Sequence, residues 1–541
     1  MKREKDETTG HSDGTPDFDV VIVGAGFAGL HMLYRMKKLG LRARVYEAAD
    51  DVGGTWYWNR YPGARCDVPS FEYSYQFDPE LQQEWTWTER YASQSEILDY
   101  FQHVCDRYEL RENIQFNTRV NSAHYQDGTC LWQIETDKGE HVTGRYFIMA
   151  TGCLSARTFP DTEGLSTFKG TMVHTGNWPH EGVDVQNRSV GVIGTGSSGV
   201  QVATALAREA GHLTVFQRTP AYVVPGSNHP FRPGEVEEIK ANYDAFRQEA
   251  KENRAGLRYE LGEKSALEVD PQERHRTYEE RWKIGGLGFT GAFHDIFDDK
   301  EANKTAADFV RYKISEIVED HETAHKLMPY TLIGCKRLVI SDDYYFIYNR
   351  DNVSLVDLRD EPLQRVTPDG VQVGDREIPL DVLVFATGFD AMTGALLRVD
   401  IRGSGGTTLK QKWQDGPKTY LGIAIAGFPN MFTITGPGSP SVLSNMVASI
   451  EQHVNWISDC IQYMDENGNV EIAARRDAED AWVHHVNEVA DRTIYPEEDS
   501  WYVGSNVPGK PRVFMPYIGV PDYVEKCDQV KQSGYEGFDV R

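Results

Sequence analysis

Cysteine is scarce and unpatterned in this sequence, with seven residues in 541, an odd number and no C-x-x-C pair. That usage argues against a disulfide framework and against disulfide-reductase chemistry, which needs two neighbouring thiols; free thiols in a reducing cytoplasm are the simplest account. Positive charge is also short. Lys and Arg number 56 against 82 Asp and Glu, a formal net charge of −26, so nucleic acid and anionic membranes are disfavoured as partners. No apolar run approaches the roughly 20 residues that a membrane-spanning helix needs. The opening MKREKDETTGHSDGTPDF lacks the apolar stretch of a secretory signal, and residues 1–16 read as a flexible tail. His484 and His485 diverge by about 100° on a helix, and no H-E-x-x-H accompanies them, so no metal site is expected. What remains is a hydrophobic fraction of 40% and a charged fraction of 26%, enough to bury a sizeable core.

Two glycine-rich turns organise that material. In DVVIVGAGFAGL the apolar run Val20 to Val23 reads as a buried parallel strand, and Gly24, Gly26 and Gly29 follow with G-x-G-x-x-G spacing around Phe27 and Ala28. Such a turn brings backbone close to a pyrophosphate and aims a helix N-terminus at it. RARVYEA then supplies a second strand ending in Glu47, where an acid binds a ribose hydroxyl. The second copy is SVGVIGTGSSGVQ, with Gly194, Gly196 and Gly199 around Thr195, Ser197 and Ser198. Its next strand, HLTVFQRT, ends in Arg218 and Thr219 in place of an acid. A carboxylate there would repel a 2′-phosphate, whereas a guanidinium and a hydroxyl would bind it. The first site therefore suits FAD and the second NADP. The glycine-led, aromatic-rich GGTWYWNRYPGARCD after Glu47 could line a flavin ring, with Gly54, Thr55, Trp56, Arg65 and Asp67 as contacts.

The fold class expected is α/β, two Rossmann-like dinucleotide-binding domains with a helical insertion in the NADP domain. Residues 17–155 and 381–541 are assigned to the FAD domain, 156–223 and 333–380 to the NADP domain, and 224–332 to the insertion. Ala150-Thr151-Gly152 and Ala386-Thr387-Gly388 each close an apolar strand where the chain would cross between domains, and Asp381 precedes the second. In the insertion Val236, Ile239, Tyr243 and Phe246, and again Val310, Ile314 and Ile317, fall at helical spacing. Strands return after it, with a turn at Pro368-Asp369-Gly370.

Between the fingerprints stands FKGTMVHTGNWP, whose Phe168, Gly170, His174, Trp178 and Pro179 match F-x-G-x-x-x-H-x-x-x-W-P. With NRYPGARCD, HTGNWPHE, GTGSSG, GPGSPS and WYVGSNVPGKPRVFMP, this makes the sequence resemble the type I Baeyer–Villiger monooxygenases, from about residue 18 to the C-terminus, most of all the phenylacetone and steroid monooxygenase branch. Taken alone, His174 reads as a linker histidine held by hydrogen bonds and Trp178 as packing. The resemblance implies that the segment couples domain movement to the flavin site without doing the chemistry.

The same resemblance implies the activity. NADPH reduces FAD, the reduced flavin adds dioxygen as a C4a-peroxyflavin, and this attacks a ketone to give an ester or lactone; aryl, cyclic or steroid-like ketones are expected, and sulfides as further substrates. It makes Arg337 the catalytic arginine, Asp67 the carboxylate that orients it, and Lys336 a 2′-phosphate contact beside Arg218 and Thr219. Trp501 matches a loop residue reaching nicotinamide and substrate, and Tyr73, Val120 and Met446 are placed at flavin contacts by alignment. Ser439 to Met446 matches a loop beside the ketone pocket. A cytoplasmic monomer or weak oligomer is expected. The alternatives are an N- or S-oxygenating flavin monooxygenase, which has no need of Arg337 and usually lacks the Trp-Pro of the linker, and a non-catalytic redox sensor.

Overall fold

The computed structural model describes residues 15–541, so almost all of the expected tail lies outside the described residues. Two sheets carry the two fingerprints. The first has eight strands: seven in the order Asp400–Arg402, Val120–Gln126, Leu131–Thr136, His141–Met149, Phe18–Val23, Ala43–Tyr46 and Ile114–Gln115, with Met431–Thr433 added beside His141–Met149. Its central strand Phe18–Val23 is parallel to both neighbours, and Val20, Val21 and Ile22 are fully buried, which is why that stretch is apolar without alternation. The helix Met446–Glu466 lies against the fingerprint helix Phe27–Lys38 and covers one face.

The second sheet is wholly parallel, in the order Val353–Asp357, His212–Gln217, Ser189–Ile193, Val382–Phe385 and Thr171–His174. This corrects one boundary. Val382–Phe385 pairs with Ser189–Ile193 and Thr171–His174, so it belongs to the second sheet and not to the segment returning to the first. Asp381 likewise anchors the second sheet, its carboxylate accepting from the Ser189 N–H at 2.9 Å. The chain rejoins the first sheet further on, at Asp400–Arg402 and Met431–Thr433.

The regular elements between residues 235 and 327 are all helices, joined by irregular chain at 253–270, yet the helical period from Val236 to Phe246 is split into Glu235–Ala241 and Tyr243–Glu252, because Asn242 leaves helical geometry at φ −121°. The two halves of the insertion pack differently. Tyr243 and Phe246 join the core of the first domain, whereas Tyr278, Phe289, Phe309 and Val310 join that of the second.

The two crossings run together as an antiparallel pair, with Cys153 O accepting from Met392 N (2.8 Å), Ala156 O from Asp390 N (2.7 Å) and Gly388 O from Thr158 N (3.0 Å). His174, at the end of its strand, pins this pair from the second domain. Its Nδ1 accepts from the Gly176 N–H at 2.9 Å, so Nε2 carries the proton and donates to Thr158 O at 3.2 Å. Thr387 Oγ1 donates to the same carbonyl at 2.6 Å. Trp178 is buried in the second domain's core, and Phe168 packs against a separate cluster on that sheet. A side chain at Gly170 would run into Asp381 O and the Phe168 ring.

Candidate active site

At the first fingerprint the backbone leaves no choice of residue. Gly24 has φ +103°, and a Cβ there would lie 2.7 Å from Ala150 O; one at Gly29 would lie 1.8 Å from Gly24 O. The helix that follows is capped by Gly26 with no side-chain cap and no acid in its first turn, so its first N–H groups face outward unpartnered by side chains. The second fingerprint helix, Ser197–Leu206, is capped by Gly196 in the same way, and the space beside Gly196 is open for 4 Å. Thr195 donates to Thr219 O at 2.8 Å, which ties this turn to the end of the next strand. Both helix ends fit a dinucleotide pyrophosphate.

Glu47 stands at the end of Ala43–Tyr46 and is buried. Burial raises its pKa, opposed by backbone N–H donors including those of Ala25 (2.7 Å) and Ala49 (2.8 Å). The carboxylate thus holds the glycine turn, and its remaining lone pairs can still accept from a ribose. Beyond it Gly54 (φ +52°) turns the chain into Thr55–Trp58, where Trp56 Nε1 donates to Tyr73 Oη at 3.3 Å and the Tyr73 ring meets Phe27 edge-on at 5.2 Å. Arg65 is directed elsewhere. Its guanidinium pairs with Glu89 (2.6 Å) and Tyr91 O, while its carbonyl accepts from Gln201 on the second fingerprint helix at 3.0 Å. Val120 is buried in a cluster with Val21 and Tyr46, and Met446 opens its helix behind Asn445, whose side chain donates to Glu72 O.

Asp67 and Arg337 come together. Arg337 Nε donates to Asp67 Oδ2 at 2.9 Å and Nη2 to Oδ1 at 2.7 Å, while Nη1 donates to Val442 O at 2.8 Å. The side chains stay 25% and 22% exposed, so the pair lines accessible space. Burial works against the charge on Arg337, but the Asp67 carboxylate outweighs it and holds the guanidinium pKa above its ordinary value. A guanidinium has five N–H donors; three are engaged here, which leaves two for a ligand. The Val442 carbonyl places this cation inside the Ser439–Met446 loop, and a backbone oxygen of that kind has no signature in the sequence. Tyr502 is also buried close by: burial raises its pKa, Arg337 opposes this and Asp67 adds to it.

The segments that follow Arg218 and Lys336 run side by side, because Val223–Val224 pairs with Val339–Ile340 and Val339 N–H donates to Tyr222 O. Lys336 also faces Glu498, and Trp501 packs on Tyr502 with ring centroids 4.4 Å apart. Sequence reasoning passed over Glu498, Tyr502 and Lys510, although Tyr502 adjoins Trp501 in a motif already singled out. Among the described residues no group of acids, histidines and cysteines could hold a metal ion, and no helix is long and apolar enough to cross a membrane.

Two glycine-led nucleotide folds joined by paired crossings, with an arginine held open at their junction, define a two-dinucleotide flavoprotein oxidoreductase. Comparison with known proteins agrees. Residues 21–293 match the family model described as pyridine nucleotide-disulphide oxidoreductase, although the paired thiols of that chemistry are missing here. A Baeyer–Villiger monooxygenase of Pseudooceanicola batsensis is 45% identical over 96% of this chain and 95% of its own. A phenazine N-monooxygenase of Lysobacter antibioticus is 43% identical, with 96% of each chain covered. The solved structure of an oxidized steroid monooxygenase bound to NADP superposes with a TM-score of 0.93 at 48% identity, covering 97% of this chain and 99% of that one. The chain belongs to the Baeyer–Villiger monooxygenase family, enzymes that use FAD and NADP.

Proposed function

We propose that this enzyme oxidises neutral ketones of cyclic, aryl or steroid-like shape to esters or lactones, with Arg337 as its catalytic residue. The observation that carries this reading is the Asp67–Arg337–Val442 arrangement, in which three hydrogen bonds fix a guanidinium and leave two N–H donors over. Bound FAD, reduced by NADPH, supplies the oxygen-transfer chemistry. The chain's own work is electrostatic. Arg337 offers a fixed cation, protonated at any working pH, to an oxygen that gains negative charge, and Asp67 keeps its plane from turning. The pair is only 25% and 22% exposed, and this partial withdrawal from bulk water strengthens that interaction. Glu47 and the glycine turns hold the first dinucleotide; Lys336, Arg218 and Thr219 receive the 2′-phosphate of the second; Trp501 covers the nicotinamide and substrate side. His174 acts at a distance by fixing the crossings and Trp178 by packing in the core of the second domain; both are positioning residues.

N-oxygenation is a second reading, favoured by the name of the 43% identical relative. The test is product analysis. FAD-loaded enzyme with NADPH is given a cyclic ketone, an aryl ketone, a steroidal ketone, an aryl sulfide and an N-heteroaromatic. Ester or lactone from the ketones is expected, with sulfoxide as a side activity. N-oxide with no ester from any ketone would overturn the ketone reading.

A further inference from the structure

The lysine read as a 2′-phosphate contact already has an anionic neighbour. Lys336 Nζ lies 3.8 Å from Glu498 Oε1, with the two side chains 35% and 16% exposed. The other oxygen of Glu498 accepts from the Leu332 N–H at 3.0 Å, so the carboxylate is fixed by the segment leading into Lys336 and Arg337 and does not wander in solvent. Glu498 sits three residues before Trp501 and ends the short turn Tyr495–Glu497. Its neighbours on that run are tied elsewhere, Glu497 to Lys300 and Asp499 to Arg512, which leaves Glu498 as the acid that faces the lysine.

We propose that Glu498 is a specificity-determining residue, a built-in competitor that occupies Lys336 until a 2′-phosphate displaces it. This rests on the reading of Lys336 as a 2′-phosphate contact. A phosphate monoester carries about −1.5 to −2 charges against one for a carboxylate, so it takes the lysine. The displaced carboxylate is then a like charge near the phosphate and weakens its binding. Displacement also removes one tie from the run that carries Trp501, and linkage makes the effect mutual: what Glu498 takes from phosphate affinity, the phosphate takes from the Glu498–Lys336 contact. Discrimination between phosphorylated and unphosphorylated nucleotide is thereby set below its maximum, and release of the used nucleotide is eased. A part-exposed pair is weak, so the effect is a few-fold in affinity.

The experiment is a double-mutant cycle on FAD-loaded full-length enzyme, reading the dissociation constants of NADP+ and NAD+ for wild type, Glu498→Gln, Lys336→Ala and the double variant. Glutamine keeps an oxygen to accept from the Leu332 N–H. Glu498→Gln is expected to bind NADP+ about two- to fivefold tighter, with NAD+ unchanged, and to have a smaller effect once Lys336 is alanine, where only the repulsion between carboxylate and phosphate is left to relieve. Glu498→Asp, which draws the charge back by one methylene, is expected to fall between wild type and glutamine and serves if the glutamine variant does not fold. Unchanged NADP+ affinity in Glu498→Gln, or equal tightening of both nucleotides, overturns the proposal while the Lys336 reading stands. If Lys336→Ala weakens NADP+ and NAD+ equally, the Lys336 reading itself fails, and this proposal with it.

Discussion

Arg337 and Asp67, 270 positions apart in the chain, meet through two parallel hydrogen bonds of 2.9 and 2.7 Å. Such a fork fixes the plane of the guanidinium as well as its place. Asp67→Asn replaces one acceptor by an N–H donor, so one arm of the fork opens and the cation turns. Ester formation is expected to fall about a hundredfold, the size of effect that a displacement near 1 Å produces, while flavin reduction by NADPH is retained. Rapid-mixing absorbance for the flavin and chromatography of the ester check the two halves separately.

That pair marks the border of what is legible in the sequence. Gly24, Gly26 and Gly29 announce their site because turn, close approach and helix start are all local, set by spacing over six residues. Nothing in the spacing of Asp67 and Arg337 says that they touch; family likeness suggested it, and the folded chain brings them together. The boundary set at 381 missed for a related reason. Val382–Phe385 is fully apolar and fits the interior of either sheet, so only its pairing with Ser189–Ile193 and Thr171–His174 decides where it belongs. Val442 contributes a backbone carbonyl, which no side-chain pattern encodes.

His174 is expected to make the enzyme acid-sensitive. Burial lowers its pKa to about 4, against an opposing hydrogen bond to Thr158 O. The unfolded chain takes up a proton below about pH 6.5 that the folded chain refuses, so the stabilisation is full above that pH and is lost progressively towards pH 4. His31 and His453, each lowered to about 3 chiefly by burial, act in the same direction. Melting temperatures between pH 7.5 and 5 are expected to fall less steeply in His174→Gln than in wild type.

Glu451 works with the opposite sign. Burial raises its pKa to about 7, although the Gln76 and Phe77 N–H groups donate to it at 2.7 and 3.0 Å. The folded chain binds this proton more tightly than the unfolded one, so the contribution is present at low pH and is lost as pH rises from about 4.5 towards 7. Glu451→Gln keeps the oxygen acceptor without the charge. It is expected to raise the melting temperature at pH 8 by several degrees and to change it little at pH 5.

Lys510 fastens the run that follows Trp501 to the second crossing. Its Nζ meets Asp390 Oδ1 and Ala391 O, both at 2.6 Å, and Asn506 Nδ2 donates to Phe389 O at 2.7 Å. Lys510→Met removes the charge from a side chain that is 10% exposed and leaves Asp390 unpaired, a loss of about 1–3 kcal/mol. The Trp501 segment is expected to open more often, so that less ester forms per NADPH consumed, by several-fold, with more hydrogen peroxide. Parallel assays of NADPH, ester and peroxide check this balance.

The central claim is that Arg337 directs the oxygen to the ketone. The most direct measurement is the ratio of ester formed to NADPH consumed, on FAD-loaded wild type and Arg337→Ala, with a saturating cyclic or aryl ketone. Wild type is expected to approach one ester per NADPH, and Arg337→Ala to consume NADPH with ester reduced about a hundredfold or more, the loss seen when a donor to a developing oxyanion is removed. Ester formation by Arg337→Ala at an unchanged ratio and rate would contradict the account.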